Sequence, residues 1–125
     1  MATITPTVTH LNANALLVTW TAITHADEGG PVQIDPKYAD KTFSIEGGTF
    51  TGSATYALEG SMLGTTFIAM HSAGGSVASG SAISLAADGS AVVAQNMRHY
   101  QVNRGSGSAG ATVIARLLCV CGGNR

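Results

Sequence analysis

Along this chain apolar and polar side chains alternate with a period of two, the spacing of strands with one buried face; no stretch makes a convincing amphipathic helix. The strongest run is Ala15 to Ile23. Leu16, Val18, Trp20 and Ala22 share one face, and Leu17, Thr19, Thr21 and Ile23 share the other. The first set holds the only tryptophan and is predicted to be core. A second organising stretch is Ala54 to His71. Ala54, Tyr56 and Leu58 alternate with Thr55, Ala57 and Glu59, Gly60 and Gly64 bracket a short turn, and Thr66 to Met70 resumes an extended run. This predicts a β-hairpin, which is marginal alone and needs further strands over its apolar face.

The remaining elements follow in chain order. Met1 to Leu11 is Thr-rich with Ile4 and Val8. Pro6 interrupts it and bars it from the middle of a ladder, so it reads as an edge strand or an extended arm. Asn12, Ala13 and Asn14 make a turn. Thr24 to Asp40 carries Asp27, Glu28, Gly29, Gly30 and Pro31 as a polar loop and Asp35–Pro36 as a further turn, and reads as a long surface excursion. Lys41 to Glu46 is a short strand with Phe43 and Ile45 inward. Gly47–Gly48 is a hairpin signal, and Phe50 opens the next strand. His71 to Gly80 is a Ser/Gly/Ala loop or weak strand. Short strands recur at Ile83–Leu85, Ala91–Ala94 and Asn96–Asn103, the last with Arg98, Tyr100 and Val102 opposite Met97, His99 and Gln101. Arg104 to Gly110 is a glycine- and serine-rich loop, and Gly122 to Arg125 is a tail. The closing strand, Ala111 to Cys121, is apolar on both faces, which marks a strand covered on both sides or placed in a subunit interface. About eight short strands in one domain over residues 1–125 predict an all-β sandwich, with a jelly roll as the expected topology.

Composition changes that picture in one respect. Only 10% of residues are charged and the formal net charge is −1. A basic nucleic-acid-binding surface is therefore not expected. A small free monomer usually carries more charge than this, so the neutral surface, rich in Ala, Ser, Thr and Gly, points to assembly. No apolar run approaches the roughly 20 residues of a membrane helix, and the N-terminal residues do not read as a secretory signal.

Catalytic and metal-binding patterns are weak. Gly105, Gly107 and Gly110 match GxGxxG, but the following residues look like a strand, where a phosphate site needs a helix; the bland reading is a flexible hairpin loop. His10, His25, His71 and His99 are widely spread, with no partner at metal-ligand spacing, although His71 and His99 could meet across a sheet. Cys119 and Cys121 lie on one strand face, too close for an ordinary disulfide, and are read as reduced thiols. Asp27, Glu28, Asp35 and Asp40, near Lys37 and Lys41, read as a solvated loop. No nucleophile elbow is present. No catalytic residue, cofactor or metal is assigned.

The succession VTWTAITHADEGGPV, YADKTFSIEG, YALEGSMLGTTFIAM and MRHYQVNRGSGSAGATVIARLL resembles a group of small tailed-phage virion proteins. There a Trp-bearing strand precedes a Gly-containing loop, a short apolar strand, a hairpin and a closing Arg-Tyr strand–loop–strand. The resemblance runs from about Leu16 to Leu118. Met62–Leu63 replaces a polar pair at the hairpin, and His99 splits the Arg98–Tyr100 pair. What it implies is a capsid decoration, or cement, protein. Such a protein is made in the host cytoplasm and sits on the capsid exterior. Such proteins bridge neighbouring capsomers of the major capsid protein as dimers or trimers, with no enzyme chemistry. Here the extended arm, with its free ladder groups, favours a dimer over a trimer, and composition leaves no nucleic acid or membrane expected as a partner.

The candidate assembly contacts are Ile4, Pro6 and Val8 of the arm, Asp27, Glu28 and Pro31 of the loop, and Met62 and Leu63 of the hairpin turn. Two other readings stand beside this one. One is a different virion component, such as a tail or head–tail protein. The other is a non-catalytic carbohydrate-binding sandwich, for which Tyr38, Tyr56 and Tyr100 are the stacking candidates.

Overall fold

Alternation of the Ala15–Ile23 kind produces strands throughout the computed structural model, which describes residues 3–23, 28–47, 55–104 and 113–121. In chain order the strands are β1 (Thr3–Ile4), β2 (Thr7–Asn12), β3 (Ala15–Ile23), β4 (Glu28–Gln33), β5 (Asp40–Gly47), β6 (Tyr56–Ser61), β7 (Ile68–Ala69), β8 (Ser72–Gly75), β9 (Ser84–Leu85), β10 (Gly89–Val93), β11 (His99–Arg104) and β12 (Val113–Val120). One sheet runs β1-β4-β11-β6-β7, with β9 also beside β6; the other runs β2-β3-β12-β5-β10-β8. Their inner faces share one core that includes Trp20, Phe43, Tyr56, Leu58, Tyr100 and Leu117. The all-β sandwich is as the alternation predicts. There are twelve described strands rather than about eight because Pro6 splits the N-terminal stretch into β1 and β2, and because Glu28–Gln33 and Ser72–Gly75 are strands within stretches whose glycines read as loop.

The N-terminal stretch is an edge strand twice over. β1 lies parallel to β4 at the edge of the first sheet, the chain crosses at Thr5–Pro6, and β2 pairs with β3 at the edge of the second. Proline sits at the crossing, where no ladder needs its missing N–H. The expected turn follows, with the Asn14 backbone N–H donating to Asn12 Oδ1 at 2.7 Å.

The long surface excursion over Thr24–Asp40 needs correction. Residues 24–27, Asp27 among them, lie outside the described residues, but Glu28–Gln33 is a strand between β1 and β11. Its glycines serve packing and do not make a turn. A Cβ on Gly29 would lie 2.8 Å from both Trp20 Cδ1 and Val102 Cβ, and one on Gly30 would lie 3.0 Å from Thr3 Cγ2. Pro31 is tolerated because β4 is bulged there: Tyr100 pairs with Val32 but Val102 pairs with Gly29, so β4 carries one extra residue. Ile34 and Tyr38 beyond it are buried.

A second bulge corrects the face of Ile23. Ala115 pairs with Trp20 and Val113 with Ile23, three residues of β3 against two of β12. The extra residue flips the alternation after Trp20, and Ile23 is fully buried instead of facing outward. Two expected hairpins also dissolve. β5 and β6, flanking Gly47–Gly48, belong to different sheets, and so do β11 and β12, which flank the GxGxxG stretch. Residues 48–54 and 105–112, including the start of the strand expected from Phe50, lie outside the described set.

Candidate functional site

The predicted hairpin of the central stretch forms, with Glu59 opposite Ala69 and Gly60 opposite Ile68. Gly60 sits inside β6 and not in the turn; a Cβ there would lie 2.8 Å from the buried Met70 sulfur. The turn itself is residues 62–67. Gly64 takes φ +84°, which favours glycine, and its N–H donates to Ser61 Oγ at 2.9 Å. The His99 ring lies about 3.2 Å from where a Gly64 Cβ would be. Held in this way, the turn carries Met62 and Leu63 into solvent, Leu63 at 82% exposure, beside exposed Ile68. With Met97, Thr65 and Thr66 these three side chains line an open, mainly apolar groove of about 270 Å³. An exposed apolar patch of this kind on an otherwise neutral surface is a candidate contact surface.

The two outer faces of the sandwich differ. On the first sheet the face is polar: Gln101 Nε2 and Asn103 Nδ2 donate to the two carboxylate oxygens of Glu59, at 2.8 and 3.3 Å. On the second, β12 turns Ile114, Arg116, Leu118 and Val120 outward, all half-buried, with Arg116 paired to Glu46. Leu118 lies between Leu17 and Thr42, which in turn neighbours exposed Val92. The double-faced apolar pattern of β12 thus produces a partly open apolar row across the sheet.

The remaining predicted contacts are scattered. Val8 is exposed and Ile4 packs partly on the core; Pro6 is half-buried, Glu28 is half-buried on β4, and Pro31 is exposed. Among the described histidines, His71 pairs with Gln95 at 2.9 Å while His99 covers the hairpin turn, so they serve separate places. No group of three His, Cys, Asp or Glu residues is placed to hold a metal among the described residues. Tyr38, Tyr56 and Tyr100 are all buried and are not available to stack on a sugar.

One polar cluster was not legible in the sequence. Lys41, read there as solvated, is buried. Its Nζ donates to the Tyr38 carbonyl at 2.5 Å and to Asn96 Oδ1 at 2.6 Å, 5.2 Å above the Tyr100 ring centre. Asn96 Nδ2 donates to the Pro36 carbonyl, and the Tyr100 hydroxyl accepts from Met97 N–H at 2.7 Å. The ammonium ties the start of β5 to the β10–β11 connection and is satisfied by named acceptors, the condition under which a buried charge is tolerated. Lys41 falls at an inward position of β5, the same face as Phe43 and Ile45, and that alternation was the available signal.

Burial sets the protonation of this cluster. It pushes the Cys119 thiol up from 9.0 to about 12, against the pull of nearby Lys41. It pushes Tyr100 up from 10.0 to about 12, with the Met97 N–H opposing and Cys119 adding to the rise. It lowers Lys41 from 10.5, with Cys119 opposing. A thiol held so high stays protonated at neutral pH and is a poor nucleophile. Above pH 10.5 Lys41 is mostly neutral in both folded and unfolded chains, while the folded chain keeps protons on Cys119 and Tyr100 that the unfolded chain has largely lost. Stability is therefore expected to fall as pH rises from 10.5 toward 12, and the fall should be shallower in Cys119→Ala. Urea midpoints that stay level across this window in the parent chain would contradict the assignment.

No protein-family model, curated protein or solved structure matches the chain.

Proposed function

We propose that this chain is a virion structural protein without catalytic activity: a decoration or cement protein that binds the outside of an icosahedral shell and bridges neighbouring capsomers of a different major capsid protein. The observation that carries the reading is the exposed apolar turn of the β6–β7 hairpin, where Met62, Leu63 and Ile68 are held outward by the Ser61–Gly64 bond and the His99 ring. The half-open apolar row on the second sheet, the low charge and the resemblance of the strand-and-turn succession add support. The reading includes a homo-oligomer, a dimer rather than a trimer, and a place on the capsid exterior. The buried tyrosines weigh against the carbohydrate-binding alternative.

Binding to purified shells tests it. Burying an exposed Met or Leu side chain stabilises a contact by roughly 1.5–3 kcal/mol, so each is worth about tenfold or more in affinity. Met62→Ser and Leu63→Ser are each expected to weaken shell binding by about that factor while leaving the thermal midpoint nearly unchanged, since both side chains are exposed. Raising salt should matter little, because few charges are available to screen. Undiminished binding by the double variant, or binding lost steeply with salt, would reject the apolar hairpin as the shell contact.

A further inference from the structure

We infer that β2 pairs with β2 of a second copy of this chain, antiparallel across a two-fold axis through Val8, so that the β2-β3-β12-β5-β10-β8 sheet continues from one protomer into its partner. This deepens the homo-oligomer included in the proposed function by naming its contact, and it requires no shell.

The open edge comes first. β2 is the last strand of its sheet, bonded only to β3, and no strand takes its other edge among the described residues. All six of its residues are exposed, on both faces. Val8 and His10 lie opposite the buried Val18 and Leu16, on the core side of the sheet. Even so, Val8 is 41% exposed, while β1, the edge of the first sheet, packs near β3. An edge strand with free ladder groups is a template for another strand unless it is blunted by charge, proline or a bulge. Here the blunting devices sit only at the ends. Pro6 precedes the strand, and a register shift after His10 leaves one extra residue in β2, so the regular stretch is Thr7 to His10. That stretch contains no Lys, Arg, Asp or Glu.

The occupant follows from the pattern. A two-fold axis perpendicular to a sheet keeps each protomer's faces in register, so residues placed opposite each other must have the same parity. With the axis through Val8, Val8 meets its own copy on the core side, and Thr7 meets Thr9 of the other protomer on the outer side, twice. Valine pairs and threonine pairs are both favourable cross-strand neighbours. The segment is thus complementary to itself, which an arbitrary partner strand need not be. The pairing is short, below the area of a standard stable interface, so the dimer is expected to depend on concentration.

The measurement is molar mass in solution over a concentration series, by sedimentation or light scattering on the full chain. The parent chain is expected to approach twice its 12.6 kDa as concentration rises. Val8→Lys places two ammonium groups opposite each other and should remain at 12.6 kDa, with the circular dichroism and thermal midpoint of the parent because Val8 is exposed. Val8→Cys should form a disulfide-linked dimer under oxidising conditions where the parent, with only its native Cys119 and Cys121, does not, since facing Cβ atoms across an antiparallel pair approach to about 4.5 Å, the edge of disulfide reach. A parent chain that stays monomeric throughout, or a Val8→Lys variant that still dimerises, would overturn the inference. If the parent is monomeric and Val8→Lys abolishes shell binding, the edge takes a strand of the shell instead, and the self-pairing is likewise overturned.

Discussion

Trp20→Ala is expected to unfold the domain at ordinary temperature. Trp20 is fully buried at the centre of the shared core, and its indole Nε1 donates to the Gly30 carbonyl at 2.8 Å. One residue therefore fills the space between the sheets and bonds β3 of one to β4 of the other. Truncation leaves a cavity, at a cost of about 3–5 kcal/mol. It also leaves the Gly30 carbonyl, on a buried residue, without its partner, at roughly 1–3 kcal/mol more. A domain of this size has a total stability of roughly 5–15 kcal/mol, so the sum consumes much or all of it. Trp20→Phe separates the two contributions: it keeps most of the volume, loses the bond and should unfold at a lower urea midpoint than the parent while remaining folded in buffer. A Trp20→Ala variant with the parent's thermal midpoint would show that the core is not organised around this residue.

Gly29→Val is the second large effect, and it acts from the opposite wall of the same contact. Even the first carbon of a side chain at Gly29 would stand 2.8 Å from Trp20 Cδ1 and from Val102 Cβ, closer than such carbons pack. Neither neighbour is the flexible end of a long side chain. Trp20 is pinned by its bond to Gly30, and Val102 is held in β11 between β4 and β6. Relief requires the two sheets to separate locally, at a cost of about 3 kcal/mol, the upper part of the range for overpacked cores. The expected result is a thermal midpoint lowered by about 10 °C, taking roughly 4 °C per kcal/mol, where the ranges for smaller and larger domains meet. Gly30→Ala should cost less, because its nearest neighbour is the Thr3 methyl at 3.0 Å, on the two-residue strand β1 at the sheet edge. Equal midpoints for Gly29→Val and the parent would mean that the approach of β4 to Trp20 is not tight.

These two positions also show how far the sequence could be read. The face of Leu16, Val18 and Trp20 followed from alternation alone, because a strand with one buried face has a period of two and nothing competes with it there. Ile23 escaped that rule because a bulge adds a residue after Trp20, and bulges are set by the pairing partner as much as by the local sequence. Glu28–Gln33 escaped it for a different reason. Two glycines and a proline signal a turn when only local conformation is considered, but here the glycines allow backbone to approach Trp20 and Ile4, and the proline occupies a bulge. Lys41 was misplaced because lysine is usually solvated; its burial depends on carbonyl and amide acceptors at Tyr38 and Asn96, and Asn96 is far away in sequence. Met62 and Leu63 were legible as exposed side chains because two large apolar residues in a glycine-bracketed turn have no core to enter. The Gly47–Gly48 signal did not make a hairpin, since a glycine pair marks a change of direction but not the sheet that the chain enters next.

The proposed function places the sandwich on a shell through its apolar hairpin. A cryo-EM reconstruction of icosahedral particles from cells producing this chain tests it most directly. Additional density is expected on the outer capsid surface, into which this two-sheet domain fits with the Met62–Ile68 turn against the major capsid protein. Particles whose outer surface lacks the domain, or that carry it only in the tail or with that turn facing solvent, would contradict it.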